Sequence, residues 1–158
     1  MSSLIVYCSS HGTTEKAAHI LGNYLDGDVT IVDLKKKPVI DVSSYETVVI
    51  GGSIHAGNIQ RKVKHFIQQH ENELLTKKIG LFLCCMFEGD KANQQFELAF
   101  PKELRDRSLS NGLFGGEFNF TKMNFLERQI VKKVAGVKED QSTLNEEFIK
   151  EFAEQLNH

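Results

Sequence analysis

Leu4-Ile5-Val6-Tyr7-Cys8, then Ser9-Ser10-His11-Gly12-Thr13-Thr14, then Glu15-Lys16-Ala17-Ala18: this stretch decides the fold class. The first five residues form an unbroken β-favouring run, which predicts a strand buried on both faces. From Thr13 to Leu25 the apolar residues Ala17, Ala18, Ile20, Leu21 and Leu25 recur at helical spacing. The turn between them is made almost wholly of small hydroxyl residues and a glycine. A buried strand feeding a helix through a short turn is the opening of a βαβ unit.

The same alternation continues outward. Val29–Leu34 (VTIVDL) reads as the second strand, after the breaker Asp26-Gly27-Asp28. Pro38 and the cluster from Asp41 to Ser44 form a loop or short helix. Thr47–Ile50 is a third, fully apolar strand ending at Gly51-Gly52, and Ile59, Val63, Phe66 and Ile67 mark one face of a helix ending near His70. Lys78–Met86 is the fourth and most apolar strand; a helix over Ala92–Phe100 follows, closed by Pro101. Leu113–Phe120 reads as the fifth strand. Thr143 with Glu146 forms a capping box for a last helix that packs through Leu144, Phe148, Phe152 and Leu156. The expected architecture is α/β: a doubly wound, five-stranded parallel sheet in a three-layer α/β/α sandwich. Residues 1–158 are read as one domain.

Composition narrows the function classes. A net charge of −2 and a sequence pI near 6.3 lack the basic stripe of a nucleic-acid binder. The longest apolar stretch, Ile79–Phe87, is about half of what a membrane-spanning helix needs. No basic segment followed by an apolar core opens the chain, so no secretion signal is expected. The three cysteines form no CxxC pair of the zinc or thioredoxin type, and Cys8, Cys84 and Cys85 read as reduced core residues. These features predict a cytoplasmic protein without a metal site.

In open α/β sheets, ligands bind beyond the carboxyl ends of the strands. The turn Ser9–Thr14 joins hydroxyls to the free N–H groups at a helix N-terminus, an arrangement suited to a phosphate. It reads equally as a helix cap rich in small polar residues. It contains no GxGxxG and no GxxxxGK[ST], and the strand before it lacks the paired acids of a phospho-accepting receiver. The loop after the third strand, Gly51–Gln60 (GGSIHAGNIQ), holds three glycines, which suggests a flat ligand against the main chain or a tight turn. After the fourth strand, Met86 and Phe87 emerge together, to cover such a ligand or to pack under the next helix.

Taken together, SSHGTTEKAA at Ser9–Ala18, GGSIHAGNIQRKVKHF at Gly51–Phe66 and LFGGEFNFTKMNFLERQIVKKVAG at Leu113–Gly136 resemble the flavodoxin superfamily. Within it they are similar to the menaquinone-dependent protoporphyrinogen oxidases, a branch that serves haem biosynthesis. The first motif is shared across flavodoxins; the other two select the branch. The resemblance implies FMN as cofactor, with Ser9, Ser10, His11, Gly12, Thr13 and Thr14 holding its phosphate. It implies Ser53, Ile54, His55, Ala56, Gly57 and Asn58 on one side of the flavin ring. Cys85, Met86, Phe87, Glu88, Gly89 and Asp90 would stand on the other. Gly57 would let the preceding peptide turn a carbonyl toward flavin N5, and N–H groups of 85–90 would face N1 and O2. The chain departs from many flavodoxins in having no Trp and no Tyr in these loops, so His55 and Phe87 are the aromatic rings available there. No side chain announces itself as a general base.

About twenty residues between the fifth strand and the last helix exceed what a minimal fold needs. In this segment, about 118–138 and read as an extra helix, Met123, Leu126, Ile130 and Val134 form an apolar stripe. Lys122, Arg128, Lys132, Lys133 and Lys138 make it basic, suited to an anionic substrate such as a porphyrin carboxylate or to a peripheral membrane contact. An ordinary amphipathic helix packed on the domain is the plainer reading. Three functions follow: an FMN-dependent oxidoreductase passing electrons to a quinone-type acceptor, an electron carrier between protein partners, and a flavin-free interaction module.

Overall fold

The computed structural model describes residues 2–9, 12–37, 41–55, 57–85, 89–115, 117–118, 141–142 and 144–157. Strand β1 (Ser2–Tyr7) leads through the Gly12 turn into α1 (Thr13–Tyr24), and β2 (Asp28–Asp33) follows. A short 3-10 turn at Val42–Ser44 precedes β3 (Thr47–His55), which folds back at once into β4 (Asn58–Ile59). Then come α2 (Arg61–Leu74), β5 (Lys78–Cys84), α3 (Gly89–Ala99), α4 (Lys102–Arg107) and β6 (Ser110–Gly115). Two-residue strands β7 (Glu117–Phe118) and β8 (Gln141–Ser142) pair with each other, and α5 (Glu146–Leu156) closes the described chain.

Five strands run parallel in the order β2-β1-β3-β5-β6, as expected for a flavodoxin-like doubly wound sheet. The antiparallel return β4 pairs with the carboxyl end of β3, the central strand, through Ile54–Ile59 and His55–Asn58. Alternation along the central strands feeds two cores. Leu4, Val6, Val48, Ile50, Leu81 and Leu83 point to the side covered by α2, α3 and α4. Ile5, Tyr7, Val49 and Phe82 point to the side covered by α1 and α5.

The second core is organised by aromatic rings and by the glycines that leave room for them. Phe82 stacks on Phe114 at 4.8 Å, and Phe114 meets Phe152 of α5 edge-on at 5.0 Å. Gly51 pairs with Phe82 across β3 and β5; a Cβ there would lie 1.9 Å from that ring. Gly80 and Gly112 make the same allowance for Phe152.

Several sequence expectations need correction. The third strand does not stop at Gly51-Gly52 but runs to His55, because its end is paired by β4. The fifth strand is Ser110–Gly115, set by pairing with β5, and Phe118 belongs to the separate β7–β8 ribbon rather than to a helix. Pro101 closes α3 and also caps α4, a helix too short to show periodicity. The last helix is capped by Asn145, whose side chain accepts from Phe148 N–H at 3.2 Å; Thr143, expected to form a capping box with Glu146, lies outside the described residues. Phe148 is 53% exposed, and Ile149 takes its place in the core. Residues 119–140, with Lys122, Met123, Leu126, Arg128, Ile130, Lys132, Lys133, Val134 and Lys138, lie outside the described residues. Among those described, no helix is long and apolar enough to cross a membrane.

Gly51→Ala is expected to lower stability by about 2–3 kcal/mol, since its methyl group would overlap the Phe82 ring. A urea titration checks this as a shifted midpoint at unchanged slope.

Candidate functional site

Strand order reverses at β1 and β3, so the loops leaving these two strands flank the crevice where ligands of such sheets bind. Main-chain bonds pin the exit of β1 from both neighbours. Cys8 N–H donates to Gly51 O at 3.4 Å, and Leu34 N–H donates to Tyr7 O at 2.9 Å.

The turn that follows depends on Gly12, whose φ of 92° lies in the left-handed region. Its N–H donates to Ser9 Oγ at 2.8 Å, and its carbonyl accepts Lys16 N–H at 3.0 Å to start α1. Among the described residues, no side chain caps α1. Thr14, in the first turn, is 0% exposed, and its Oγ1 has no hydrogen-bond partner among the described residues. A buried hydroxyl without a partner costs about 1–3 kcal/mol. Ser3, Thr47, Gln95 and Ser110 share this condition among the described residues, and Thr14 differs from them in standing in the first turn of α1 beside the Gly12 turn. A helix-cap reading accounts for Ser9 and leaves Thr14 unexplained. An anion at the positive end of α1 accounts for both, so the turn fits a phosphate group.

Across the crevice stands the β3–β4 hairpin. Gln60 locks its base: Ser53 N–H donates to Gln60 Oε1 at 3.0 Å, and Gln60 Nε2 donates to Ser53 Oγ at 2.6 Å. Ile54 packs on the α2-side core, while Gly57 and Asn58 are exposed. Gly57 has φ 82° with open space where a Cβ would be, as a tight reversal requires. The other two glycines of this loop have internal reasons. Gly51 makes room for Phe82; a Cβ on Gly52 would lie 2.6 Å from Ile59 and 3.0 Å from Gln60 Oε1. Packing thus accounts for Gly51 and Gly52, and the left-handed φ accounts for Gly57.

The third loop is described at its ends. Cys85 is 7% exposed and belongs to the α2-side core, so its side chain is a packing group. Gly89 opens α3 with φ 62°, and Asp90 is exposed in the first turn. Ser10, His11, Ala56, Met86, Phe87 and Glu88 lie outside the described residues, as does the His55 side chain. All three cysteines are buried.

Tertiary structure adds charges that the sequence did not point to. The Nζ of Lys35, in the turn after β2, donates to the carbonyl of Ser9. Lys35 and Lys62, the latter in the first turn of α2, act on the Cys8 thiol. Burial nevertheless pushes that thiol up, and Asp33 adds to the rise. Gln60 and Lys35 carried no local signal: one is an uncommon residue before a helix, the other belongs to an unremarkable lysine run. Tyr7, 3% exposed at the end of β1, is pushed up to about 12 by burial first and then by the carboxylates of Asp33 and Glu15.

Two outcomes follow. Thr14→Val should leave the ligand-free protein as stable or up to ~1 kcal/mol more stable, since it removes an unpaired buried hydroxyl; thermal melts test this. Tyr7 has its folded pKa above the ordinary value of 10, so its contribution is intact below pH 10 and lost as pH rises toward 12. Stability should fall across that window, and Tyr7→Phe should flatten the fall in denaturant titrations.

Comparison with known proteins agrees with this layout. The flavodoxin domain family model matches residues 4–145. A Leishmania major protein named protoporphyrinogen IX dehydrogenase [quinone] is 25% identical over 149 residues, covering 87% of this chain and 64% of its own. The chain thus spans less than two thirds of that relative. A short-chain flavodoxin associated with a non-canonical PDU bacterial microcompartment superposes with a TM-score of 0.59 at 17% identity, covering 99% of this chain and 96% of its own. Two-electron reduced Megasphaera elsdenii flavodoxin gives 0.57 at 20% identity over 78% and 89% of the two chains. With the family model covering nearly the whole described fold, this chain belongs to the flavodoxin domain family.

Proposed function

We propose that this protein is an FMN-dependent oxidoreductase that passes electrons from a reduced substrate to a quinone-type acceptor. The observation that carries the reading is Thr14 Oγ1, buried beside the Gly12 turn at the start of α1, where the described residues supply it no hydrogen-bond partner and the helix no side-chain cap. A phosphate would complete that hydroxyl and the first-turn N–H groups together. Similarity to the Leishmania major dehydrogenase supports a protoporphyrinogen-like substrate.

When bound, FMN supplies the redox chemistry at its ring, and the protein binds and tunes it. Ser9, Gly12, Thr13 and Thr14 would hold the phosphate, with Ser10 and His11 completing the turn. The β3–β4 hairpin, made firm by the Ser53–Gln60 pair, would form one wall of the ring site. Gly57, free of any Cβ, leaves its preceding peptide able to present a carbonyl to the ring. Residues 85–90 would form the opposite wall, with Cys85 anchoring that loop in the core rather than touching the ring. No described side chain stands as a general base, so positioning and exclusion of water fall to the main chain. The basic residues Lys122, Arg128, Lys132 and Lys133 are proposed on sequence alone to meet anionic groups of the substrate.

Reconstitution with FMN tests the reading. The wild type should give a flavin spectrum and oxidise protoporphyrinogen anaerobically with a quinone as acceptor. Reduction by a flavoprotein reductase with onward transfer to a protein partner, and no turnover of the porphyrinogen, would instead identify a carrier. Gly12→Asp places a side chain at φ 92° and a negative charge on the phosphate turn; FMN affinity should drop about a hundredfold or more while circular dichroism stays unchanged. A variant that holds FMN as tightly as the wild type would exclude this turn as the phosphate site.

A further inference from the structure

We propose that Lys35 supplies the positive charge for the phosphate at the β1–α1 turn and makes the site selective for a phosphorylated flavin over riboflavin. The inference rests on the FMN reading and adds to it a residue outside the turn itself. A phosphate monoester carries about −1.5 to −2 charges near neutral pH. The turn itself offers neutral donors, hydroxyls and main-chain N–H groups, and in the first turn of α1 the charge of Lys16 stands next to the opposite charge of Glu15.

Lys35 is far away in sequence but is brought to the turn by the sheet. Asp33 builds the bend after β2: its carboxylate accepts Lys35 N–H at 2.9 Å, and its carbonyl accepts Lys36 and Lys37 N–H at 3.0 Å each. Leu34 N–H to Tyr7 O ties this bend to the end of β1 at 2.9 Å. The Lys35 backbone is thereby held beside the phosphate turn, and its ammonium donates to the Ser9 carbonyl. Ser9 is the residue whose hydroxyl takes Gly12 N–H, so the ammonium sits on the turn that Thr14 completes. An ammonium has three N–H donors, and one is spent on Ser9. Charge-assisted bonds from the others would favour a dianion and do nothing for an uncharged ribityl hydroxyl. Lys36, next in the same bend and exposed, serves as a control of equal charge.

The test is titration of the apoprotein with FMN and with riboflavin, read by quenching of flavin fluorescence, at low and high ionic strength. Lys35→Met should weaken FMN binding about five- to tenfold at low salt, leave riboflavin binding within about twofold, and flatten the salt dependence. Lys35→Arg should restore most of the FMN affinity, and Lys36→Met should leave both flavins within about twofold. Equal weakening of FMN and riboflavin by Lys35→Met would show that Lys35 merely props Ser9, and overturn the proposal. An unchanged FMN affinity would overturn it as well, with neutral donors alone holding the phosphate. A wild type that binds neither flavin would remove the FMN reading itself, and this inference with it.

Discussion

Strands β1, β3 and β5 have no solvent face, and every other feature of the molecule follows from that. Side chains alternate along a strand, so an unbroken apolar run must find cover above and below. Leu4 and Val6 fill one core, Ile5 and Tyr7 the other, and the same division recurs at Val48 and Val49. Helices must therefore pack on both faces, and right-handed crossovers allow this only if the chain reverses its direction of travel across the sheet. The reversal falls between β1 and β3. It opens the crevice, and it is the reason that two loops far apart in sequence stand opposite each other.

The site made there is built from main chain more than from reactive side chains. Gly12 shapes the turn, Ser9 and Thr14 furnish hydroxyls, and the hairpin is held by one Ser–Gln pair. Such a site binds and orients, while chemistry comes from what it holds. The aromatic residues of the fold are largely committed elsewhere. Phe82, Phe114 and Phe152 form the α1–α5 core, Tyr7 lies beneath α1, and Tyr24 donates to Glu146 at 2.9 Å. The chain has no Trp, and the described side chains of 53–58 and 85–90 are Ser53, Ile54, Asn58, Cys85 and Asp90.

Much of this was legible in the residues. Apolar runs marked the buried strands, since burial on both faces permits no polar alternation, and the hydroxyl- and glycine-rich turn marked the start of α1, since its residues are local in sequence. Element ends were less legible. Where β3 stops, where β6 starts and which residue caps α5 depend on hydrogen bonds to partners that local pattern does not reveal. Phe148 fitted the helical stripe as well as Ile149, and only the angle at which α5 meets the sheet exposes one and buries the other.

The chain by itself determined the class of fold and the glycine turn that starts α1, because periodicity and turn chemistry act over a few neighbouring residues. Only the tertiary structure decided why Gly51 and Gly52 are glycines, that Gln60 braces Ser53, and that Lys35 reaches Ser9. Those contacts join residues that meet through sheet pairing or close packing. A ring placed over a glycine, or a charge carried in from the next strand, leaves no mark on its own neighbours in sequence.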